Sequence, residues 1–192
     1  MTAIILAGGK SSRMGHDKAF IEIEGVSLIR RQLALLRNLF KKIIIVTNEP
    51  QRYRFKGIKI VKDIIAGRGP LGGIHAGLRA SDSFHNFVMA CDMPNLNSGL
   101  IRYVIQEKDN FDVVVPYVKR RYESLFAIYS KNCIMPIYNA LISKDLKIRN
   151  FFKAVKVRII EATEIRKFGN PDILFANINT PSDYDKALYS LG

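Results

Sequence analysis

Positions 6–18 read LAGGKSSRMGHDK, directly behind the apolar run AIIL. Gly8 and Gly9 let the backbone approach a ligand without interference from a Cβ, and consecutive amides there can form a concave site for an anion or a base edge. Lys10, Arg13 and Lys18 bring cations to the same mouth, so a phosphate-bearing ligand is expected. The glycines alone are equally served by a tight turn with solvated charges. Two familiar phosphate loops do not fit. Gly9-Lys10-Ser11 ends like a Walker A loop, but that motif needs glycine where Ile4 stands. Gly67, Gly69 and Gly72 satisfy G-x-G-x-x-G, yet several residues separate them from the preceding strand, Pro70 interrupts the turn, and the cationic loop would be left without a role.

A second chemical segment, ACDMPNL at 90–96, places Asp92 at the end of an apolar run. Mg²⁺ prefers one or two carboxylates together with substrate phosphate oxygens, which makes Asp92 the candidate metal ligand; a turn cap is the alternative. Asn48 and Asp63 follow two further apolar runs and either hydrogen-bond a base or sugar or serve as turn residues. Glycines, cations and a carboxylate-held Mg²⁺ together suit transfer at a phosphorus centre. Were the attacking group itself a phosphate monoester, with a second pKa of about 6, it would already be ionised at neutral pH and need no histidine. His16, His75 and His85 are then surface or packing residues, and Cys91 a buried apolar neighbour.

These segments must be held by regular elements. Short β-branched runs predict strands near 3–7, 43–47, 58–62, 87–91 and 111–116, and later ones near 125–128, 157–160 and 174–177. Helical spacing of Leu28, Ile29, Leu33, Leu36, Leu39 and Phe40 behind Ser27 predicts an amphipathic crossover helix. Another is expected from Asn97 toward Glu107, and a last one behind Thr180-Pro181 with Asp183 in its first turn. The alternation predicts an α/β fold with a largely parallel sheet, whose ligands bind beyond the carboxyl ends of its strands. The 192 residues, 48% of them hydrophobic and 24% charged, exclude a disordered tail or coiled coil and are read as a single domain over 1–192. The expected protein is soluble and without a secretion signal, and two cysteines without disulfide or metal spacing point to the cytoplasm. A net charge of +13 admits nucleic acid, a membrane surface, a phosphorylated substrate or an ordinary solvated surface. No nucleic-acid motif accompanies it.

LAGGKSSRMGHDK, KDIIAGRGPLGG, ACDMP and FANINTP together resemble the MobA family of molybdenum cofactor guanylyltransferases, from Ala3 to about Tyr184. Asp17-Lys18 separates the chain from sugar-activating and isoprenoid-activating relatives, which usually carry proline before that lysine. The resemblance implies a three-layer Rossmann-like nucleotidyltransferase fold and transfer of GMP from MgGTP to molybdopterin. The rival readings are cytidylyl transfer to molybdopterin and transfer to a sugar phosphate. The resemblance also implies nucleotide binding by Leu6, Ala7, Gly8, Gly9, Lys18, Asn48, Asp63 and Asp92, catalysis by Arg13, Lys18 and Asp92, and Mg²⁺ at Asp92. Gly72, Gly73, Arg121, Asn177 and Asn179 would meet the pterin substrate. Two departures, Lys119-Arg120 for a glycine-containing turn and Ser124 for a frequent proline, bear on the acceptor. The expected protein is a monomer that binds GTP and molybdopterin, touches cofactor-delivery proteins or molybdoenzymes transiently, and binds neither nucleic acid nor membrane.

Overall fold

The computed structural model describes residues 1–7 and 18–191. Its strands are β1 (Thr2–Leu6), β2 (Glu22–Ile23), β3 (Val26–Ser27), β4 (Lys42–Val46), β5 (Lys59–Val61), β6 (His85–Ala90), β7 (Val113–Val118), β8 (Arg121–Tyr122), β9 (Phe126–Ser130) and β10 (Val157–Glu161). Its α-helices are α1 (Leu28–Arg37), α2 (Gly69–Ala80), α3 (Ser98–Gln106), α4 (Ile134–Ile142), α5 (Ala162–Ile165), α6 (Pro171–Leu174) and α7 (Pro181–Leu191). The main sheet runs β10-β7-β9-β6-β1-β4-β5, with β8 paired to β7. Neighbours are parallel from β6 to β5 and between β10 and β7, and β9 runs antiparallel to both β6 and β7.

Alternation along the strands builds the three layers. Ala3, Ile5, Ile43, Ile45, Phe87 and Met89 turn to one face, where α1 adds Ile29, Leu33 and Leu36 and α3 adds Leu100, Ile101 and Val104. Ile4, Leu6, Ile44, Val46 and Val88 turn to the other, against Leu71, Ile74 and Leu78 of α2 and Ile137 and Leu141 of α4. A sheet covered on both faces needs near-continuous apolar strands, as IILA and IIIV are.

Three expectations of the sequence change here. Residues 174–177 form no strand: Asn170 accepts the Asp172 N–H at 3.0 Å, Pro171 opens α6, and Phe175 turns inward to stack edge-on against Phe126, 5.3 Å between centroids. The apolar run there is an anchor. Gly69 to Gly73 is not a turn but the start of α2, with Pro70 in the first helical turn, where its missing N–H costs nothing. Ser27 stands at the N-cap of α1 without a side-chain cap hydrogen bond, whereas Asn97 does cap α3, accepting from Leu100 N at 2.9 Å.

Candidate active site

Carboxyl ends of β1, β4, β5 and β6 open on one edge. The parallel ladder extends one step past the strands, with Ala7 N donating to Val46 O at 2.8 Å, Thr47 N to Val61 O at 2.9 Å and Cys91 N to Leu6 O at 3.1 Å. Leu6 and Ala7 are buried, and these bonds already use the carbonyl of one and the amide of the other. Gly8, Gly9 and Arg13 lie outside the described residues.

Lys18 opens a short 3-10 turn and reaches across to Asp92, Nζ to Oδ2 3.2 Å. The same ammonium donates to Asn179 Oδ1. One cation near the N-terminus thus spans a carboxylate from the middle of the chain and a carbonyl oxygen from near its C-terminus. Both members of the ion pair are shielded, with side chains 21% and 18% exposed.

Asp92 is held by its backbone. Ile178 N donates to Asp92 O at 2.9 Å, tying the segment after α6 to the end of β6. Gln32, 2% exposed on α1, donates from Nε2 to Cys91 O at 3.0 Å and Met93 O at 3.1 Å, the carbonyls on either side. Asn179 is fixed in turn by Asp183, whose Oδ2 accepts from Asn179 N at 3.0 Å and Thr180 N at 2.8 Å while Thr180 Oγ1 accepts from Asp183 N at 3.2 Å. The Thr180 hydroxyl, donating to Asp183 Oδ2 at 2.9 Å, and these backbone donors hold the Asp183 carboxyl below its ordinary range, and the caps start α7 where the sequence predicts.

Asn48 and Asp63 meet each other: Asn48 Nδ2 donates to Asp63 Oδ2 at 3.1 Å, and Asp63 N to Asn48 Oδ1 at 3.4 Å. The pair links the loops after β4 and β5. Gly72 and Gly73 are buried within α2, and a Cβ on Gly73 would sit 3.2 Å from Leu6 Cδ2, so Gly73 lets the helix approach β1. Arg121, Asn177 and Asn179 are exposed. Sequence reasoning therefore finds the residues that meet at Lys18 and misses those that hold them. A signal for Gln32 existed: it is a polar residue inside the apolar stripe of α1.

The family assignment follows from comparison. A model of the MobA-like NTP transferase domain matches residues 3–159. The chain belongs to this family. This MobA-like transferase is 38% identical to a probable molybdenum cofactor guanylyltransferase of Pelotomaculum thermopropionicum, over 97% of this chain and 91% of that one. It is 36% identical to the molybdenum cofactor guanylyltransferase of Syntrophotalea carbinolica, over 96% and 89%. The molybdopterin-guanine dinucleotide biosynthesis protein A of Archaeoglobus fulgidus superposes with a TM-score of 0.83 at 27% identity, covering 100% of this chain and 98% of that one. The 2-C-methyl-D-erythritol 4-phosphate cytidylyltransferase of Thermus thermophilus shares the fold, with a TM-score of 0.71 at 18% identity over 98% and 97%. The protein is a nucleotidyltransferase of molybdenum cofactor biosynthesis.

Proposed function

We propose that this MobA-like transferase moves GMP from GTP to the phosphate of molybdopterin, giving a guanine dinucleotide and pyrophosphate. The observation that carries the reading is Lys18 spanning Asp92 and Asn179 at the carboxyl edge of the sheet, where open parallel sheets take nucleotides. An oxygen of the acceptor phosphate attacks the α-phosphorus in line. The α–β phosphoanhydride bond breaks, and its electron pair leaves on pyrophosphate.

Two hard oxygen donors already spanned by one cation fit Mg²⁺ completed by phosphate oxygens, although among the described residues no three His, Cys, Asp or Glu side chains cluster as a protein-only metal site. Asp92 would hold the ion, with Asn179 beside it on the acceptor side. When bound, it neutralises charge on the triphosphate. Lys18, freed from Asp92, turns its ammonium to the phosphates, joined by Arg13 from the glycine loop. Asn48 and Asp63 face the nucleoside, and Arg121, Asn177 and Asn179 the pterin substrate. Among the described residues no helix is long and apolar enough to cross a membrane, and the reading places the enzyme in the cytoplasm.

Incubation with molybdopterin, Mg²⁺ and each of the four nucleoside triphosphates, with the product identified by mass, tests this. GTP should give the only abundant dinucleotide. Equal use of CTP would move the protein toward a cytidylyl-transferring relative.

A further inference from the structure

The rim of the sheet carries a carboxylate that guanylyl transfer as derived above leaves without a role. Glu123 follows β8, and its backbone is pinned on both sides, its N–H donating to Pro116 O at 2.9 Å and its carbonyl accepting from Phe126 N at 2.9 Å. Met89 of β6 is in register with Phe126, and Ala90 N donates to Leu125 O at 3.0 Å, so residues 123–125 arrive beside the strand end that carries Asp92. The hairpin tip just before it, Lys119 and Arg120 at φ 48° and 63°, is tied to α6 by a 2.7 Å Lys119–Asp172 ion pair. α6 leads into Asn177 and Asn179. Glu123 therefore belongs to the wall that joins the end of β6 to the acceptor side of the edge.

Its side chain is half-buried, and among the described residues it makes no hydrogen bond or ion pair. Burial pushes its carboxyl up, and Arg121 pulls only part of that back. Withdrawing a carboxylate from water without giving it a donor is unfavourable. On a chain of net charge +13, with Lys119, Arg120 and Arg121 immediately before it, cations for it are not scarce. The missing donors are those a ligand brings.

We propose that Glu123 reads the donor edge of the acceptor's ring, the adjacent N3–H and 2-amino groups of a pterin, accepting one hydrogen bond on each carboxylate oxygen. The assignment rests on the guanylyl-transfer reading for the identity of the acceptor. A carboxylate offers two parallel acceptors and no donor, so it fits two adjacent N–H groups and repels a ring with a carbonyl oxygen at C2. Guanine presents a similar edge, and the experiment separates the two.

Pterin and lumazine are fluorescent rings that carry an amino group and an oxygen, respectively, at C2. In fluorescence titrations the full chain is expected to bind pterin about tenfold or more tighter than lumazine, the scale of a hydrogen bond to a charged group. Glu123→Gln should erase that preference, since an amide offers a donor to the oxygen, and Glu123→Asp should keep its sign. In turnover with GTP and molybdopterin, Glu123→Gln is expected to raise KM for molybdopterin about tenfold, with KM for GTP and the melting temperature unchanged. Equal affinity of the native chain for the two rings, a rise in KM for GTP in place of that for molybdopterin, or a changed magnesium requirement alone overturns the assignment. If the native chain makes no guanine dinucleotide but distinguishes the rings through Glu123, the guanylyl-transfer reading falls and ring recognition stands. The opposite pair of results removes Glu123 alone.

Discussion

Lys18 and Asp92 are bound to each other, and in the proposed reaction each serves the triphosphate. Replacing either by alanine removes charge complementarity that matters most when charge develops in the transition state. Steady-state kinetics should show Lys18→Ala and Asp92→Ala each lowering kcat by about 100- to 1000-fold, the usual cost of one such group. Asp92→Ala should also weaken the magnesium dependence. Full activity of Asp92→Ala at limiting Mg²⁺ would remove it from the site. Gln32 acts one step back. Gln32→Leu keeps the bulk but removes the amide that donates to the carbonyls of Cys91 and Met93, which should cost about 1–3 kcal/mol in denaturant unfolding and lower kcat. The proposed chemical residues stand out because glycines, cations and an acid at strand ends are conspicuous in sequence. Their supports stand out less: Gln32 shows only as a polar residue in the apolar stripe of α1, and no local pattern reports its hydrogen bond to Cys91, 59 positions away.

Among elements, the strands of the central sheet other than β8 and the helices α1, α3 and α7 could be read from period and caps. The hairpin of β2 and β3 and the short α5 and α6 escaped, because two- to four-residue elements have no periodicity to detect. Residues 174–177 misled for a related reason. A short apolar run signals burial and does not say whether a strand or an anchored loop is buried. α2 supplies a sharp test. An alanine Cβ at Gly77 would lie 2.5 Å from Ile4 Cγ2 and 3.3 Å from Val46 Cγ2, both in the buried core. Overpacking of about 1–3 kcal/mol should exceed the gain in helix propensity of about 1 kcal/mol, so Gly77→Ala is expected to lower the melting temperature. A raised melting temperature would mean that α2 can lift from β1 and β4 at little cost.

For the molecule as a whole, acid stability is expected to depend on a corner where α3, β10 and α5 meet. Arg158 Nη2 meets Glu164 Oε1 at 2.6 Å and its Nε meets Glu107 Oε2 at 2.9 Å, while Tyr103 Oη donates to Glu164 Oε1 at 2.5 Å. Burial would raise the Glu164 carboxyl, but hydrogen bonds from Arg158, Tyr103 and the Glu161 amide outweigh it and hold the group at about 2. The Glu164 bond in turn pushes the Tyr103 hydroxyl up to about 12. Because the folded value lies below the unfolded one, the unfolded chain binds the extra proton in acid, and stability falls as pH drops from about 4.5 toward 2. Glu164→Gln should flatten that limb of a melting curve against pH; an unchanged slope would place the acid sensitivity elsewhere. The contact of Lys18 with Asn179, 161 positions apart, has a last consequence. A chain growing from the ribosome can lay down β1, β4 and β6 and cover both faces of the sheet long before Asn179 has been synthesised. On the proposed reading, nucleotide chemistry waits for nearly the whole polypeptide, and a prematurely terminated product would carry the sheet without half the grip on its lysine.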